Sequence, residues 1–255
     1  MVTLDANEVA RALDPAAVFA HAFGNEPMAH QYEYLRETRP VIVLKGRQTG
    51  FSQGAAALAI HRALYWPGSL SAIVSPSQRQ SAEVAMRAKN GLIDLGERLV
   101  QDSTTTLRLR NGSRVLSLPG SSRSVRGWSI DGVLVLDEAA FLDEETFAVA
   151  RATTATGGRI VVQSTPAGEG GTFHALWQDT PPGWARFRVP TADADTVSAQ
   201  FLDQERRALP PDLYAQEYEC AFGRAGRGLF TLDQIAAMAS GEKPHAPFAA
   251  LQEDN

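Results

Sequence analysis

The stretch "VIVLKGRQTGFSQ" (residues 41–53) predicts the fold, because it joins a short apolar strand to a helix through a glycine-containing loop. The alanine-rich stretch from Ser52 to Tyr65 is typical of a helix. Such a loop can wrap the phosphates of a nucleotide, since its glycines allow a tight backbone path and the helix N-terminus attracts anions. Phe51, however, stands just before the serine, where such a loop normally carries its lysine.

The positive charge of this loop is predicted to be displaced rather than missing. Lys45 ends the strand and can face the same anion from the other side of the curled loop, and Arg47 is a second candidate cation. The hydroxyl of Ser52 is the expected ligand of Mg²⁺. The predicted nucleotide-binding segment comprises Lys45, Gly46, Arg47, Gln48, Thr49, Gly50, Phe51, Ser52 and Gln53. The alternative is an ordinary strand–helix turn with two surface cations.

Two carboxylates end another apolar strand, in "VLVLDE" (residues 133–138). We predict that Asp137 holds Mg²⁺ through water beside Ser52, and that Glu138 polarises the attacking water as general base. Because side chains alternate along a strand, the two carboxylates are expected on opposite sides. Charges at the end of a buried strand are unfavourable unless a cation or hydrogen bonds offset them. The alternative is a strand that leaves the core into a solvated loop.

Apolar strands alternate with helical segments, which predicts an α/β fold with a mainly parallel central sheet covered by helices on both faces. The predicted strands are 40–46, 70–77, 132–141, 158–168 and an edge strand at 183–191. The predicted helices are 5–24 with a break at Pro15, 30–37, 52–65, 78–99 with an interruption at Asn90-Gly91, and 144–155. Three strands end in polar clusters, "KGRQTGFS", "LDEAAF" and "QSTPAG". This pattern is typical of a site at the carboxyl edge of a parallel sheet.

A β-hairpin is predicted in "TTTLRLRNGSRVLSLPG" (residues 104–120), because the pattern alternates on both sides of Asn111-Gly112. It brings three arginines close together, namely Arg108, Arg110 and Arg114. The first two are expected on one strand face, with the neighbouring leucines on the other. Contacts between these arginines and phosphates would bind DNA without sequence preference. The alternative is the solvated face of an edge hairpin.

The composition excludes several classes of protein. With 255 residues, 44% of them hydrophobic, the chain can form one large folded domain or two small ones. Its net charge of -5 argues against a surface that binds nucleic acid everywhere, although a local basic groove could still do so. The single cysteine, Cys220, excludes an internal disulfide and a cysteine-rich zinc site. We expect no signal peptide and no membrane-spanning stretch.

The motifs together resemble the ATPase domain of the large terminase subunit of tailed phages, the motor that packages double-stranded DNA into a procapsid. The resemblance runs from residue 25 to residue 230 and rests on "KGRQTGFS", "SPSQRQSAE", "SVRGWSIDGVLVLDEAAF", "QSTPAGEGGTFHALW" and "AQEYECAF". It implies a P-loop NTPase fold of the ASCE type, with ATP and Mg²⁺ as ligands. It also implies double-stranded DNA, the portal protein and the small terminase subunit as partners. The chain would be a monomer in solution and form a homo-oligomeric ring, a pentamer, at the portal vertex in the host cytoplasm.

The resemblance assigns roles to individual residues. Lys45, Gly50, Phe51 and Ser52 match a variant phosphate loop whose lysine has moved to its start, and Arg47 matches the loop arginine of many members. Asp137 and Glu138 match the metal-holding and catalytic acids. Ser164 and Thr165 match the coupling motif, which senses the γ-phosphate.

Two further assignments from the resemblance keep alternatives. Gln31 matches the glutamine that recognises adenine, although it could equally be a solvated helix residue. Arg126 matches an arginine finger that reaches the nucleotide of a neighbouring subunit, where its charge stabilises phosphoryl transfer. Arg123 is the alternative finger, and either arginine could instead bind DNA or solvent.

For the domain organisation we predict an ATPase domain over residues 1–230, with an N-terminal helical segment at 1–24. Residues 231–255 are predicted to be a linker toward an RNase H-like nuclease domain that this chain lacks, so no nuclease activity is expected. Two other functions remain open at this point. One is an ATP-dependent helicase or remodeller, and the other is a non-hydrolysing scaffold that docks to the portal or to the small terminase subunit.

Overall fold

The central sheet has eight strands in the order β3-β4-β5-β2-β6-β7-β1-β8 in the computed structural model, which describes residues 5–223. The strands are β1 (Val41–Lys45), β2 (Leu70–Ser75), β3 (Leu99–Asp102), β4 (Thr106–Leu109), β5 (Arg114–Pro119), β6 (Val133–Asp137), β7 (Arg159–Ser164) and β8 (Ala185–Val189). All neighbouring strands from β5 to β8 are parallel, whereas β3 and β4 are antiparallel additions at one edge. The predicted edge strand is β8, which pairs with β1.

Helices cover both faces of the sheet, as predicted. The helices are α1 (Ala6–Leu13), α2 (Pro15–Phe23), α3 (Ala29–Arg36), α4 (Phe51–Tyr65), α5 (Gln78–Asp94), α6 (Ser122–Val125), α7 (Glu144–Ala152), α8 (Gly171–Gln178), α9 (Ala199–Ala208) and α10 (Pro211–Glu219). Short 3₁₀ turns lie at Ala139–Phe141 and Thr191–Asp193. None of the helices in residues 5–223 has the length and apolarity needed to cross a membrane.

Strand β1 shows how alternation produces two cores. Val41 and Val43 pack in one apolar cluster together with side chains of α2, α4 and α5. Ile42 and Leu44 point the other way and pack in a second cluster with side chains of α7 and α8. Because both faces are covered, every residue of β1 is buried. The loop after β1, which the sequence predicts to bind phosphates, therefore begins from a fully buried strand.

The structure confirms some helix boundaries and corrects others. The break at Pro15 is confirmed: Asp14 ends α1, and its side chain accepts a hydrogen bond from the N–H of Ala16 at the start of α2 (2.9 Å). The interruption at Asn90-Gly91 is wrong, because α5 continues to Asp94. Gly91 instead serves close helix packing, since a Cβ there would lie 2.7 Å from Cδ1 of Ile60.

The end of α5 was predicted too late. The helix terminates at Gly96, whose positive φ of 83° allows the N–H of Glu97 to bond the carbonyl of Leu92 (2.9 Å). The residues that follow form β3 instead of a last helical turn, and they pair with β4. Helices α8, α9 and α10 were not predicted. The predicted linker, residues 231–255, lies outside the described residues.

The hairpin is confirmed, with β4 antiparallel to β5 and Gly112 in the left-handed region (φ 89°). Arg108 lies directly opposite Arg114 in the register. The predicted alternation is confirmed, since Leu107 and Leu109 are buried while Arg108 and Arg110 are exposed, but β4 ends at Leu109 and Arg110 belongs to the turn instead of the strand. The guanidinium of Arg114 lies 5.9 Å from the ring centre of Trp128. DNA contact by these arginines stays a prediction.

Candidate active site

The polar strand ends meet at the carboxyl edge of the sheet. Strands β6, β7 and β1 are neighbours and run parallel, so that Asp137, Ser164 and Lys45 end adjacent strands. Residues separated by more than a hundred positions in the chain therefore form one site, as the sequence pattern predicted.

The loop after β1 contains a run of backbone N–H groups without hydrogen-bond partners among the described residues. Gln48 and Gly50 both have positive φ, 57° and 78°, and α4 begins at Phe51. Within the described part of the chain, the successive N–H groups of residues 48 to 52 have no hydrogen-bond acceptor. Consecutive N–H groups at a turn and a helix N-terminus form a binding site for anions. The loop thus has the backbone chemistry that phosphates require.

Long-range contacts fix the start of this loop. The N–H of Gly46 bonds the carbonyl of Val189, and the N–H of Arg47 bonds the carbonyl of Glu217, both at 2.9 Å. The hydroxyl of Thr191 donates to the carbonyl of Arg47 (2.8 Å). A Cβ at Gly46 would lie 2.5 Å from that hydroxyl, so glycine is required for this close approach. These contacts come from segments that lie about 140 residues or more further along the chain. The sequence patterns did not predict them.

Gln31 braces the other end of the loop. Its Nε2 donates to the carbonyl of Gly50 (3.0 Å), and its Oε1 accepts from the N–H of Met28 (2.9 Å). The side chain is buried, with an exposed fraction of 1%, so the alternative of a solvated helix residue is wrong. Recognition of adenine by Gln31 stays a prediction; the amide keeps a second N–H and a second oxygen lone pair beyond these two bonds.

Phe51, which stands where a phosphate loop usually carries its lysine, points its side chain into the core. Its ring is buried and packs edge-on against Tyr34, with ring centres 5.1 Å apart. His30 also contacts this ring at 5.3 Å between centres. A lysine at this position would place its chain among aromatic rings, where an unpaired charge is unfavourable.

Lys45 and Glu138 form a buried ion pair at the centre of the site. The Nζ of Lys45 donates to Oε1 of Glu138 at 2.7 Å. The two side chains are only 8% and 23% exposed. The prediction that alternation separates Asp137 and Glu138 across a strand is wrong, because β6 ends at Asp137 and Glu138 adopts a left-handed conformation (φ 52°). A non-glycine residue in this region is strained, and such strain is concentrated at functional sites.

Ser164 and Thr165, the residues predicted to act in coupling, contact the same carboxylate. Oε2 of Glu138 lies 3.4 Å from the hydroxyls of Ser164 and Thr165 and from the N–H of Thr165. The hydroxyl of Ser164 also accepts a hydrogen bond from the N–H of Ala140, at 3.1 Å. Glu138 therefore connects Lys45 on one side to the end of β7 on the other.

Charge interactions keep the central pair ionised. Burial by itself lowers the pKa of Lys45, but the negative charges of Glu138 and Asp137 outweigh burial and raise it. Burial by itself raises the pKa of Glu138, yet Lys45 and the hydrogen bonds from Thr165 lower it overall. The pKa of Asp137 is raised, chiefly by burial. Gln163 donates to its Oδ1 at 2.7 Å.

The donor set fits Mg²⁺ held together with a nucleotide. Mg²⁺ in phosphoryl-transfer sites usually takes one or two carboxylates, a hydroxyl, water and substrate phosphates. Asp137 is a buried carboxylate close enough to Lys45 to feel its charge, whereas Ser52 lines both cavities over the loop and Asp137 lines neither. No cluster of three or more His, Cys, Asp or Glu residues suited to a metal occurs within residues 5–223. These residues would suit an ion that arrives with phosphates, and Mg²⁺ itself stays a prediction.

Two adjoining cavities open over the loop. One of about 250 Å³ is lined by residues 48–53, Lys45, Thr196 and Arg87. The other, of about 590 Å³, is bordered by Glu138, Thr165 and Arg47, among others. Both include Lys45, Gln48 and Ser52. Arg87 of α5 was not predicted as a site residue, although its helix contains most of the motif "SPSQRQSAE".

The remaining predicted arginines lie on the surface. Arg47 pairs with Glu217 at 3.3 Å, and Arg126 pairs with Glu145 at 2.7 Å; both guanidinium groups are 60% exposed. Arg126 lines neither of the two cavities over the loop. An exposed arginine outside its own subunit's cavity is compatible with action on a neighbour, but the finger assignment stays a prediction.

One family matches most of the sequence. The sequence model described as terminase large subunit, T4likevirus-type, N-terminal, matches residues 42–237, more than half of the chain. The Mu-like prophage FluMu protein gp28 of Haemophilus influenzae is 29% identical over 121 residues, which are 47% of this chain. That match spans only 23% of the length of gp28.

Solved structures share the fold. The large terminase ATPase domain of Thermus phage P74-26 has a TM-score of 0.73 at 21% identity, covering 82% of this chain and 99% of that one. The large terminase of a thermophilic bacteriophage, in complex with ADP, has a TM-score of 0.66 at 13% identity, covering 76% of this chain and 53% of that one. At these identities the likeness concerns the fold, and it confirms the predicted α/β P-loop NTPase class.

Proposed function

The chain belongs to the family of phage terminase large subunits, and from this membership we propose that it is an ATP-hydrolysing motor domain. It uses the energy of hydrolysis to drive double-stranded viral DNA into a procapsid. The observation that carries the proposal is the ion pair between Lys45 and Glu138, which lines the same cavity as a loop whose N–H groups have no acceptor among the described residues. Such a site offers an anion-binding cradle and a carboxylate that can accept a proton, which are the two requirements for hydrolysing a phosphoanhydride.

In the proposed reaction, the phosphates of ATP bind the N–H groups of residues 48–52 and draw Lys45 away from Glu138. Freed from its partner, Glu138 accepts a proton from the attacking water. Ser52 and Asp137 would hold Mg²⁺, which would supply positive charge against the phosphates. The contacts of Glu138 with Ser164 and Thr165 support a coupling role for these two residues, because a movement of the carboxylate would break or tighten contacts at the end of β7.

The assembly implied by the family remains part of the proposal. Subunits form a homo-oligomeric ring at the portal vertex, in contact with the portal protein and the small terminase subunit, in the host cytoplasm. Arg126, exposed and paired only with Glu145 among the described residues, is proposed to leave that partner and reach the nucleotide of a neighbour. Arg108, Arg110 and Arg114 are proposed to contact DNA phosphates. A scaffold without hydrolysis is disfavoured, because a purely binding module has no need of Glu138.

Mixing two inactive variants tests this proposal. Arg126→Ala keeps Lys45, Ser52 and Glu138 and can accept a finger, whereas Glu138→Gln cannot hydrolyse ATP but can donate one. On procapsids with DNA, an equal mixture should release phosphate faster than either variant alone, since a finger in trans accelerates related reactions by roughly 10³–10⁵. Arg207→Ala, which removes an exposed arginine that lines neither cavity, serves as the matched control: mixed with Glu138→Gln, it should release phosphate no faster than the sum of the two separate rates. If the mixture is no faster than the sum of its parts, Arg126 acts in cis or not at all.

A further inference from the structure

Both cations of the loop itself already have carboxylate partners. Lys45 is held by Glu138 at 2.7 Å, and Arg47 is held by Glu217 at 3.3 Å. Phe51 has replaced the lysine that would otherwise approach the phosphates from the helix start. An incoming polyanion therefore meets a loop whose positive side chains are largely neutralised.

Arg87 supplies a cation that is not neutralised in this way. It lies on α5 and lines the smaller cavity together with residues 48–53 and Lys45. Its side chain is exposed, and no carboxylate of residues 5–223 lies within ion-pair distance of it. Thr196 closes the same cavity, and its hydroxyl bonds the carbonyl of Gln48. A guanidinium without a carboxylate partner among the described residues thus lines the same cavity as the loop whose N–H groups have no acceptor.

The position of Arg87 is fixed by the packing of its helix. Its neighbour Ala88 is fully buried, and one turn later Gly91 packs closely against α4. At the start of α5, Nε2 of Gln78 donates to the hydroxyl of Ser117 on β5 (2.8 Å). Because α5 is held against both α4 and the sheet, Arg87 is presented from a rigid backbone and only its side chain needs to order on binding.

We propose that Arg87 binds the phosphates of the nucleotide in its own subunit and adds a positive charge to that of Lys45, which is paired with Glu138 before the nucleotide arrives. The proposal rests on the nucleotide site of the proposed function. Phosphates are the favoured target because they are the only anionic part of the ligand, and a guanidinium can bond two of their oxygens at once. Arg87 and the N–H groups would then hold the first contact while Lys45 is still paired with Glu138.

Calorimetric titration of the full chain with ADP and with adenosine tests this inference. Arg87→Ala should weaken ADP binding by about tenfold, the loss of one charge-assisted contact at an exposed site, and should leave adenosine binding unchanged. Arg87→Lys should recover part of the affinity, because it restores the charge but not the paired geometry. Arg79→Ala is the matched control, since it removes an exposed arginine of the same helix that lines neither cavity. It should bind ADP as the wild type does.

The outcomes separate this proposal from the function on which it rests. If the wild type binds ADP and Arg87→Ala binds it equally well, the role of Arg87 is refuted while the nucleotide site stands. If Arg87→Ala instead loses affinity for double-stranded DNA and keeps ADP, the arginine belongs to a DNA surface and the proposal is wrong. An equal loss for ADP and adenosine would also contradict it, because the contact would then be with the nucleoside. If the wild type binds no ADP, the nucleotide site itself fails.

Discussion

Replacing Lys45 by methionine should destabilise the protein strongly, because it leaves Glu138 charged in a mostly buried site. At 2.7 Å and an effective dielectric constant of about 20, the attraction between the two charges is about 6 kcal/mol, part of which desolvation cancels. Removing one partner of a buried pair typically costs about 3–5 kcal/mol. Since Glu138 keeps 23% of its side chain exposed, water offsets some of the loss. We expect a loss of about 3 kcal/mol.

Urea unfolding followed by far-ultraviolet circular dichroism measures this loss. With a slope of about 3 kcal/mol/M, the midpoint should fall by about 1 M. Adding Glu138→Gln to Lys45→Met should restore part of the stability, because the unpaired charge is gone. Arg207→Met breaks an exposed pair of similar length with Asp203 (2.6 Å) and should have no measurable effect. Additive losses in the double variant, or an unchanged midpoint in Lys45→Met, would refute the buried pair as a stabilising unit.

Three further predictions concern the same site and its support. The pKa of Glu138 is lowered in the folded protein, so the stability that its ion pair contributes is fully present above pH 4.5, the ordinary pKa of a glutamate, and is lost as the pH falls below that value. The difference in free energy of unfolding between wild type and Lys45→Met should therefore narrow below pH 4.5. Urea midpoints measured across pH 3–6 would check this. Gly50→Ala should lower the free energy of unfolding by about 1–2 kcal/mol and should also weaken ADP binding, since it forces a side chain into a left-handed position 2.5 Å from Gln31. An ADP affinity equal to that of the wild type in calorimetric titration would contradict this prediction. Gly91→Leu should cost about 2 kcal/mol in thermal or urea unfolding by overpacking the contact between α5 and α4, and a neutral result would show that the helices separate easily.

The sequence was informative where one short segment determines its own geometry. The apolar run ending at Lys45, the glycine loop and the acids after β6 each combine a strand, a turn and a polar end in a few residues, so the sheet edge could be predicted. The hairpin followed from Asn111-Gly112 for the same reason. The wrong end of α5 came from following apolar residues past Gly96, which terminates the helix through its positive φ.

Contacts between distant segments could not be predicted in this way. Nothing local indicates that Thr191 and Glu217 brace the loop, or that Arg87 lines its cavity, because these contacts depend on how helices fold back over the sheet. The left-handed turn at Glu138 was missed since a strand pattern does not reveal where the strand stops. This turn directs the carboxylate onto Lys45, which is the feature on which the proposed chemistry depends most.

The role of Glu138 as general base is tested most directly by measuring ATP binding and phosphate release for wild type and Glu138→Gln under identical conditions, on procapsids with DNA and Mg²⁺. The variant keeps the shape of the side chain but cannot accept a proton. We predict that it binds ATP and releases phosphate more slowly by about 10²–10⁴-fold, as expected when a general base is removed. A Glu138→Gln chain that binds ATP and hydrolyses it at the wild-type rate would contradict the account.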